Sequence, residues 1–306
     1  MTSLPRLLPV FIAASAIALS FVAAELNAQT VIAHRGASAY LPEHTFAAWD
    51  RAIELGADYI EQDLQMTADG VLVVLHDDTL DRVARGPADD CTGPVSEKTL
   101  ARLRRCEVSS WKVEALRMAG ETQRAAELAA LPPQRIPTLQ EVFDRYGSDG
   151  SVRYYIEIKG PEDAPGMEIE LLRVLRESGL DGPAWSDRTV IVQSFSSSSL
   201  RLLSEIAPDL PLVQLGDAGL EDPDGAGASG DRRTGDAMAR IAEYAVGWGP
   251  SHRMVTPERL AAAHAENLVV HPYTVNDPDR MLELLGMGVD GMFTDVPGQL
   301  LGLLGR

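Results

Sequence analysis

From residue 30 onward, short apolar runs rich in Val and Ile alternate with stretches of helical periodicity, and this alternation restricts the fold more than any other feature. Residues 31–33, 59–64, 71–75, 154–159, 189–193, 212–215, 245–247, 268–275 and 291–294 read as strands. Residues 43–56, 167–178, 198–206, 237–244, 257–266, 278–286 and 297–304 read as helices. Strands separated by helices pair in parallel and bury both faces. The continuous apolar run 71–75 fits such a strand. About eight units in a chain of this length predict an α/β fold of the (β/α)8 type, a TIM barrel. The rival is an open doubly wound sheet. Two Gly-x-Gly-x-x-Gly matches, at 225–230 and 286–291, do not support it. The first lies in a loop far past its strand, and the second ends a helix and enters a strand, the reverse of a dinucleotide-binding turn. Residues 84–137 break the rhythm and read as an insertion after the second strand region, lying over one mouth of the barrel.

With 306 residues, 45% of them hydrophobic, the chain can bury one large core. Residues 1–28 have the form of a secretory signal peptide: Arg6, an apolar stretch over 7–24, then small residues with cleavage after Ala24 or Ala28. A retained membrane anchor is the alternative. The barrel domain then spans 29–306, periplasmic or secreted, with no stable membrane span once the signal is cleaved. A net charge of -18 argues against nucleic acid as a partner, whose phosphates need a basic surface. It leaves room for a small anionic substrate, because a metal and a few cationic side chains can dominate the field locally. Cys91 and Cys106 both lie in the insertion, and in an exported protein an even cysteine count favours a disulfide over two free thiols. No sequence feature specifies an oligomeric state.

The chemistry concentrates at strand ends, where barrel enzymes build their sites. Glu61 and Asp63 are two apart on a strand and share a face. Two inward carboxylates repel unless a cation lies between them, and a hard divalent ion with oxygen ligands meets that need. Glu157 and Lys159 repeat the pattern on a neighbouring strand, Glu157 completing the ligand set and Lys159 facing substrate charge. A metal-free salt-bridge network is the alternative. Ca2+ and Mg2+ both suit an all-oxygen site. His34 and His76 each follow an apolar strand and suit general acid and base roles, while Arg35 offers a fork for phosphate. Asp77 either orients His76 or caps a turn. His44, His252, His264 and His271 carry no assigned role.

His34-Arg35-Gly36, Pro42-Glu43-His44-Thr45, Glu61-x-Asp63, His76-Asp77, Glu157-Ile158-Lys159, Gln193-Ser194-Phe195 and Thr274-Val275-Asn276, in this order, resemble the glycerophosphodiester phosphodiesterase family. The runs 34–45 and 271–275 resemble its bacterial periplasmic, calcium-dependent branch. The resemblance covers essentially the whole mature chain. It implies a TIM barrel that hydrolyses glycerophosphodiesters to an alcohol and sn-glycerol 3-phosphate. His34 and His76 would be the acid/base pair. Glu61, Asp63 and Glu157 would hold the metal. Arg35 and Lys159 would contact phosphate, Glu43 would meet the glycerol hydroxyls, and Gln193 and Tyr273 would line the substrate site. Most of the family has Asn at the position of His44, so that residue inherits no role. A lipid-directed phosphodiesterase of the same superfamily would need an apolar entrance. A silent binding protein would be expected to lack one of these groups, and none is missing.

Overall fold

The computed structural model of the chain describes residues 29–217 and 230–306. The expected signal peptide, and much of the Gly- and Asp-rich stretch that holds the first Gly-x-Gly-x-x-Gly match, lie outside the described residues. Eight parallel strands surround a common axis: β1 (Thr30–Ala33), β2 (Tyr59–Met66), β4 (Tyr154–Ile158), β5 (Val190–Ser194), β6 (Leu212–Leu215), β7 (Gly247–Gly249), β8 (Val269–Val270) and β9 (Gly291–Thr294). They are hydrogen-bonded in the order β8-β7-β6-β5-β4-β2-β1-β9. The gap between β8 and β9 is spanned by backbone bonds from Asp290 N to Val270 O (3.1 Å), Phe293 N to Pro272 O (3.0 Å) and Val275 N to Phe293 O (2.8 Å). The ring is thereby nearly closed, as the alternation predicts for a (β/α)8 barrel.

Two strand expectations need correction. The run 268–275 is regular only over Val269–Val270, because Pro272 has no N–H to give to the ladder. The apolar run at 71–75 is not a barrel strand. Its regular part, β3 (Leu72–Val74), pairs antiparallel with β2, Leu64 opposite Val74 and Met66 opposite Leu72. A turn at Thr67–Gly70, with Gly70 at φ +78°, is too short for a parallel crossover. This hairpin brings the chain back to the level of Asp63, whose carbonyl accepts from Leu75 N at 2.9 Å, so His76 starts beside the β2 carboxylates.

The helices wrap the ring through apolar stripes. In α1 (Phe46–Leu55), Ala48, Trp49 and Ala52 are buried, Thr45 caps the first turn and Gly56 ends the helix in the left-handed region. Inside the barrel, Ile32, Tyr59, Tyr155, Ile191, Val213 and Phe293 form a separate cluster. The Tyr155 and Phe293 rings meet edge to face at 4.9 Å and fill the interior, Phe293 forming part of the floor of the cavity described below. A Cβ at Gly249 would lie 2.6 Å from Leu215, so the chain leaves that position bare.

The insertion is a structured unit. It holds α2 (Ala88–Cys91), α3 (Leu100–Leu103), α4 (Ser110–Met118) and α5 (Thr122–Ala129). Val95, Leu103, Val108 and Ile136 pack around the two cysteines with Leu80, Val83 and, from β3, Val73, as a small core separate from that of the barrel. Cys91 and Cys106 are joined as a disulfide, with a Cα–Cα distance of 5.6 Å. Among the described residues no helix is long and apolar enough to cross a membrane.

Candidate active site

The C-terminal ends of β1, β2, β4 and β5 and the end of the β2–β3 hairpin converge on one cavity of about 120 Å³. His34, Arg35, Glu61, His76, Glu157, Lys159, Gln193 and Tyr273 all line it. Asp63 and Glu43 stand at its edges, reached through Arg35. In-register pairing sets the carboxylates: Asp63 lies opposite Glu157 across β2 and β4, and Glu157 opposite Gln193 across β4 and β5. Glu61 and Asp63 share a face two residues apart, so three acids meet in one corner.

These acids are almost fully buried, Glu61 and Asp63 at 1% exposure and Glu157 at 6%. Burial, then the nearby Asp63 and Glu157 charges, push Glu61 well above the ordinary carboxylate range. Glu157 is pushed up to about 8 by burial and by Asp63, with Lys159 Nζ at 3.1 Å opposing the shift. Burial would raise Asp63 too, but His44, Lys159 and Arg35 outweigh it and hold Asp63 well below its usual value. Among the described residues Asp63 Oδ1 is buried without a hydrogen-bond donor, while Glu157 Oε1 faces the Lys159 ammonium. Three carboxylates of which two resist ionisation, with an Asp63 oxygen left without a donor, form a donor set that suits a hard divalent cation. His44, Glu61 and Asp63 also form a compact group, one ligand atom from each lying within 4.8 Å of the others. His44 Nε2 is 2.7 Å from Asp63 Oδ2, a partnership the sequence reading did not assign.

The two histidines have matching surroundings. His34 Nδ1 lies 2.7 Å from Asp295 Oδ1, and His76 Nδ1 lies 2.7 Å from Asp77 Oδ1. A carboxylate only accepts, so each Nδ1 carries its proton and each Nε2 is the basic nitrogen. Both carboxylates are ionised at neutral pH. Asp77 is held at about 2 chiefly by hydrogen bonds from Arg82, and Asp295 at about 2 by His34, Asn276 and Ser38 against the effect of burial. Burial lowers His76 below the ordinary imidazole value, so it is neutral at pH 7 and able to accept a proton. Asp77 thus orients His76 rather than only capping a turn.

The first loop carries most of the electrophilic groups. Arg35 sits at φ +57° and His44 at φ +53°, both in the left-handed region that costs side-chain-bearing residues energy. Arg35 N donates to Glu61 Oε2 at 2.6 Å, and its guanidinium reaches Glu43 at 3.1 Å. Glu43 is gripped by Arg82 at 2.7 and 2.9 Å, and these contacts with Arg35 hold it down at about 2 although burial opposes them. Gln193 Nε2 faces Glu61 Oε1 at 3.4 Å, and the Tyr273 ring meets Phe195 edge to face at 5.8 Å.

Asp295, Asn276, Ser38 and Arg82 complete the site and were not assigned from sequence. Asp295 directly follows β9, a strand-end acid of the kind that marked Glu61 and Asp63, and that was the available signal. The remaining histidines are structural or peripheral: His264 Nε2 pairs with Asp290 at 2.9 Å, His271 is buried against Tyr155, and His252 lies in a short helix outside the cavity.

Residues 34–299 match the family described as "Glycerophosphoryl diester phosphodiesterase family". A glycerophosphodiester phosphodiesterase of Bacillus subtilis is 40% identical over 266 residues, covering 87% of this chain and 83% of its own. One from Caldanaerobacter subterraneus subsp. tengcongensis is 34% identical over 275 residues, covering 90% and 97%. A crystal structure of a glycerophosphodiester phosphodiesterase from Agrobacterium tumefaciens superposes with TM-score 0.65 at 25% identity, covering 90% of this chain and 99% of that one. An Oleispira antarctica phosphodiesterase in complex with the product sn-glycerol-3-phosphate shares the fold with TM-score 0.69 at 23% identity, covering 94% and 99%.

Proposed function

The chain belongs to the glycerophosphoryl diester phosphodiesterase family and is a glycerophosphodiester phosphodiesterase, and on that premise we propose how this site hydrolyses glycerophosphodiesters to an alcohol and sn-glycerol 3-phosphate. The observation that carries the proposal is the pair of carboxylate-held histidines on one cavity with three buried acids. Glu61, Asp63 and Glu157 would hold a divalent ion, Ca2+ first and Mg2+ as the alternative, with His44 buttressing Asp63. When bound, the ion supplies Lewis-acid stabilisation of charge on a phosphate oxygen. Arg35 and Lys159 line the same cavity and orient the phosphate through charge-assisted hydrogen bonds. One neutral imidazole takes the proton from the attacking oxygen at Nε2, and the other, protonated at both nitrogens before the step, gives its Nε2 proton to the departing alkoxide and ends neutral. Asp295 and Asp77 fix the tautomers and stabilise whichever ring becomes cationic. Glu43, Gln193 and Tyr273 are proposed to bound the glycerol moiety. The cavity shares Phe195, Leu215 and Tyr273 with a wider adjoining cleft, which leaves room for the departing alcohol beside it.

We place the enzyme in the periplasmic, calcium-dependent branch and its workplace outside the cytoplasm. The leader-like residues 1–28 and the disulfide support that reading. The test of the site is glycerol 3-phosphate release from glycerophosphocholine by His34→Ala and His76→Ala. Each should lose about 10²-fold or more in turnover while keeping the native melting temperature. Near wild-type turnover in either variant would remove that histidine from the mechanism.

A further inference from the structure

The loop 34–44 is under strain. It carries Arg35 and His44 in the left-handed region and must be held from outside to keep that shape. One hold is the end of β9: Ser38 Oγ, whose single proton is shared between two acceptors, lies 2.8 Å from Asp295 Oδ1 and 2.7 Å from His34 O, and Ala39 N donates to Asp295 O at 3.0 Å. The other hold comes from the insertion. Lys112 Nζ, on α4, donates to the carbonyl of Ser38. Arg124 Nη2, on α5, donates to the carbonyl of Ala39 at 3.0 Å. Leu41 packs on Val113, Leu116, Ala125 and Leu128 from the same two helices. Lys112 is half-buried, its ammonium 5.7 Å from the Trp111 ring and facing the Glu43 and Asp295 charges. It touches neither the cavity nor the three acids.

We infer that Lys112 is a positioning residue for His34: by pinning Ser38, it holds the Ser38–Asp295 pair that orients the His34 ring, so the insertion sets the catalytic loop. This rests on His34 as a proton-transfer group. A positioning contact tightens geometry needed in the transition state, so its loss falls on kcat rather than KM.

The test is steady-state kinetics of Lys112→Met, which keeps the stem and removes the donors, beside Lys112→Arg, which restores a donor, and His34→Ala. Lys112→Met should lose roughly tenfold in kcat with KM within about twofold and an unchanged melting temperature. Lys112→Arg should recover most of that loss. The downfield Nδ1–H proton signal that disappears in His34→Ala should broaden or shift in Lys112→Met. Wild-type kcat in Lys112→Met, a rise in KM alone, or a loss that follows the melting temperature and is not rescued by Arg would overturn the inference. A fully active His34→Ala would instead overturn the site reading beneath it, so the two failures are distinct.

Discussion

His44 Nε2 lies 2.7 Å from Asp63 Oδ2, and both side chains are at least 98% removed from solvent. Burial lowers His44 below its ordinary value against the pull of Asp63, while its Nδ1 is left without a partner. The pair fixes one oxygen of the carboxylate and leaves Oδ1 without a donor. Outer contacts of this kind orient a metal ligand and raise its affinity for the ion. His44→Asn, which keeps a donor, should bind Ca2+ within about tenfold of wild type, whereas His44→Leu should weaken it about 10–100-fold. Isothermal titration of the chelated proteins with Ca2+ measures both. Equal affinity in His44→Leu and wild type would show that Asp63 needs no such support.

The Asp295–His34 and Asp77–His76 pairs make parallel predictions. Asp295→Asn and Asp77→Asn preserve shape but permit the wrong tautomer. Each should lower kcat by about 10²-fold with little change in KM. Asp77→Asn should cost less if Arg82, which bonds both Asp77 oxygens, keeps the ring in place. Unchanged kcat in Asp295→Asn would mean that His34 needs no orienting partner.

His271 predicts an acid sensitivity unrelated to catalysis. Burial, aided by Arg188, lowers it to about 4, and its Nδ1 lies 3.0 Å from the Tyr155 hydroxyl. The unfolded chain, with an ordinary value near 6.5, binds the proton first. The group therefore costs nothing above pH 6.5, and stability falls as pH drops from there toward 4. At pH 4.5 the loss is about 2–3 kcal/mol. His271→Gln removes this titration, so its melting temperature should fall less steeply than wild type between pH 7 and 4.5. Parallel curves would contradict the assignment.

The disulfide closes a 15-residue separation within the small core around it. In the chain-entropy account it contributes about 3 kcal/mol. Thiol titration of the unfolded, unreduced protein should find no free thiol. Replacing both cysteines by serine should lower the melting temperature, and two titrating thiols would refute the bridge.

Local signals made much of the site legible in sequence. His34, Glu61, Asp63, Glu157 and Lys159 each sit in or just past an apolar run, so their position in a barrel follows from their position in the chain. Asp295 reaches His34 across 261 residues, through a β1–β9 pairing that only ring closure creates. Lys112 and Ser38 are likewise joined by tertiary packing alone. The run 71–75 was misread because a continuous apolar run carries no information on strand direction; the Thr67–Gly70 turn does. His76 reaches the site for that reason, by a hairpin and not by ending a barrel strand.

The three buried acids are expected to work only with a divalent ion between them. Glycerol 3-phosphate release from glycerophosphocholine should be measured on enzyme stripped with chelator, then on the same sample with Ca2+ or Mg2+ added back. Activity should be lost on stripping and recovered with the ion, and the melting temperature should rise as the repulsion among Glu61, Asp63 and Glu157 is offset. Full turnover by exhaustively stripped enzyme would contradict this expectation.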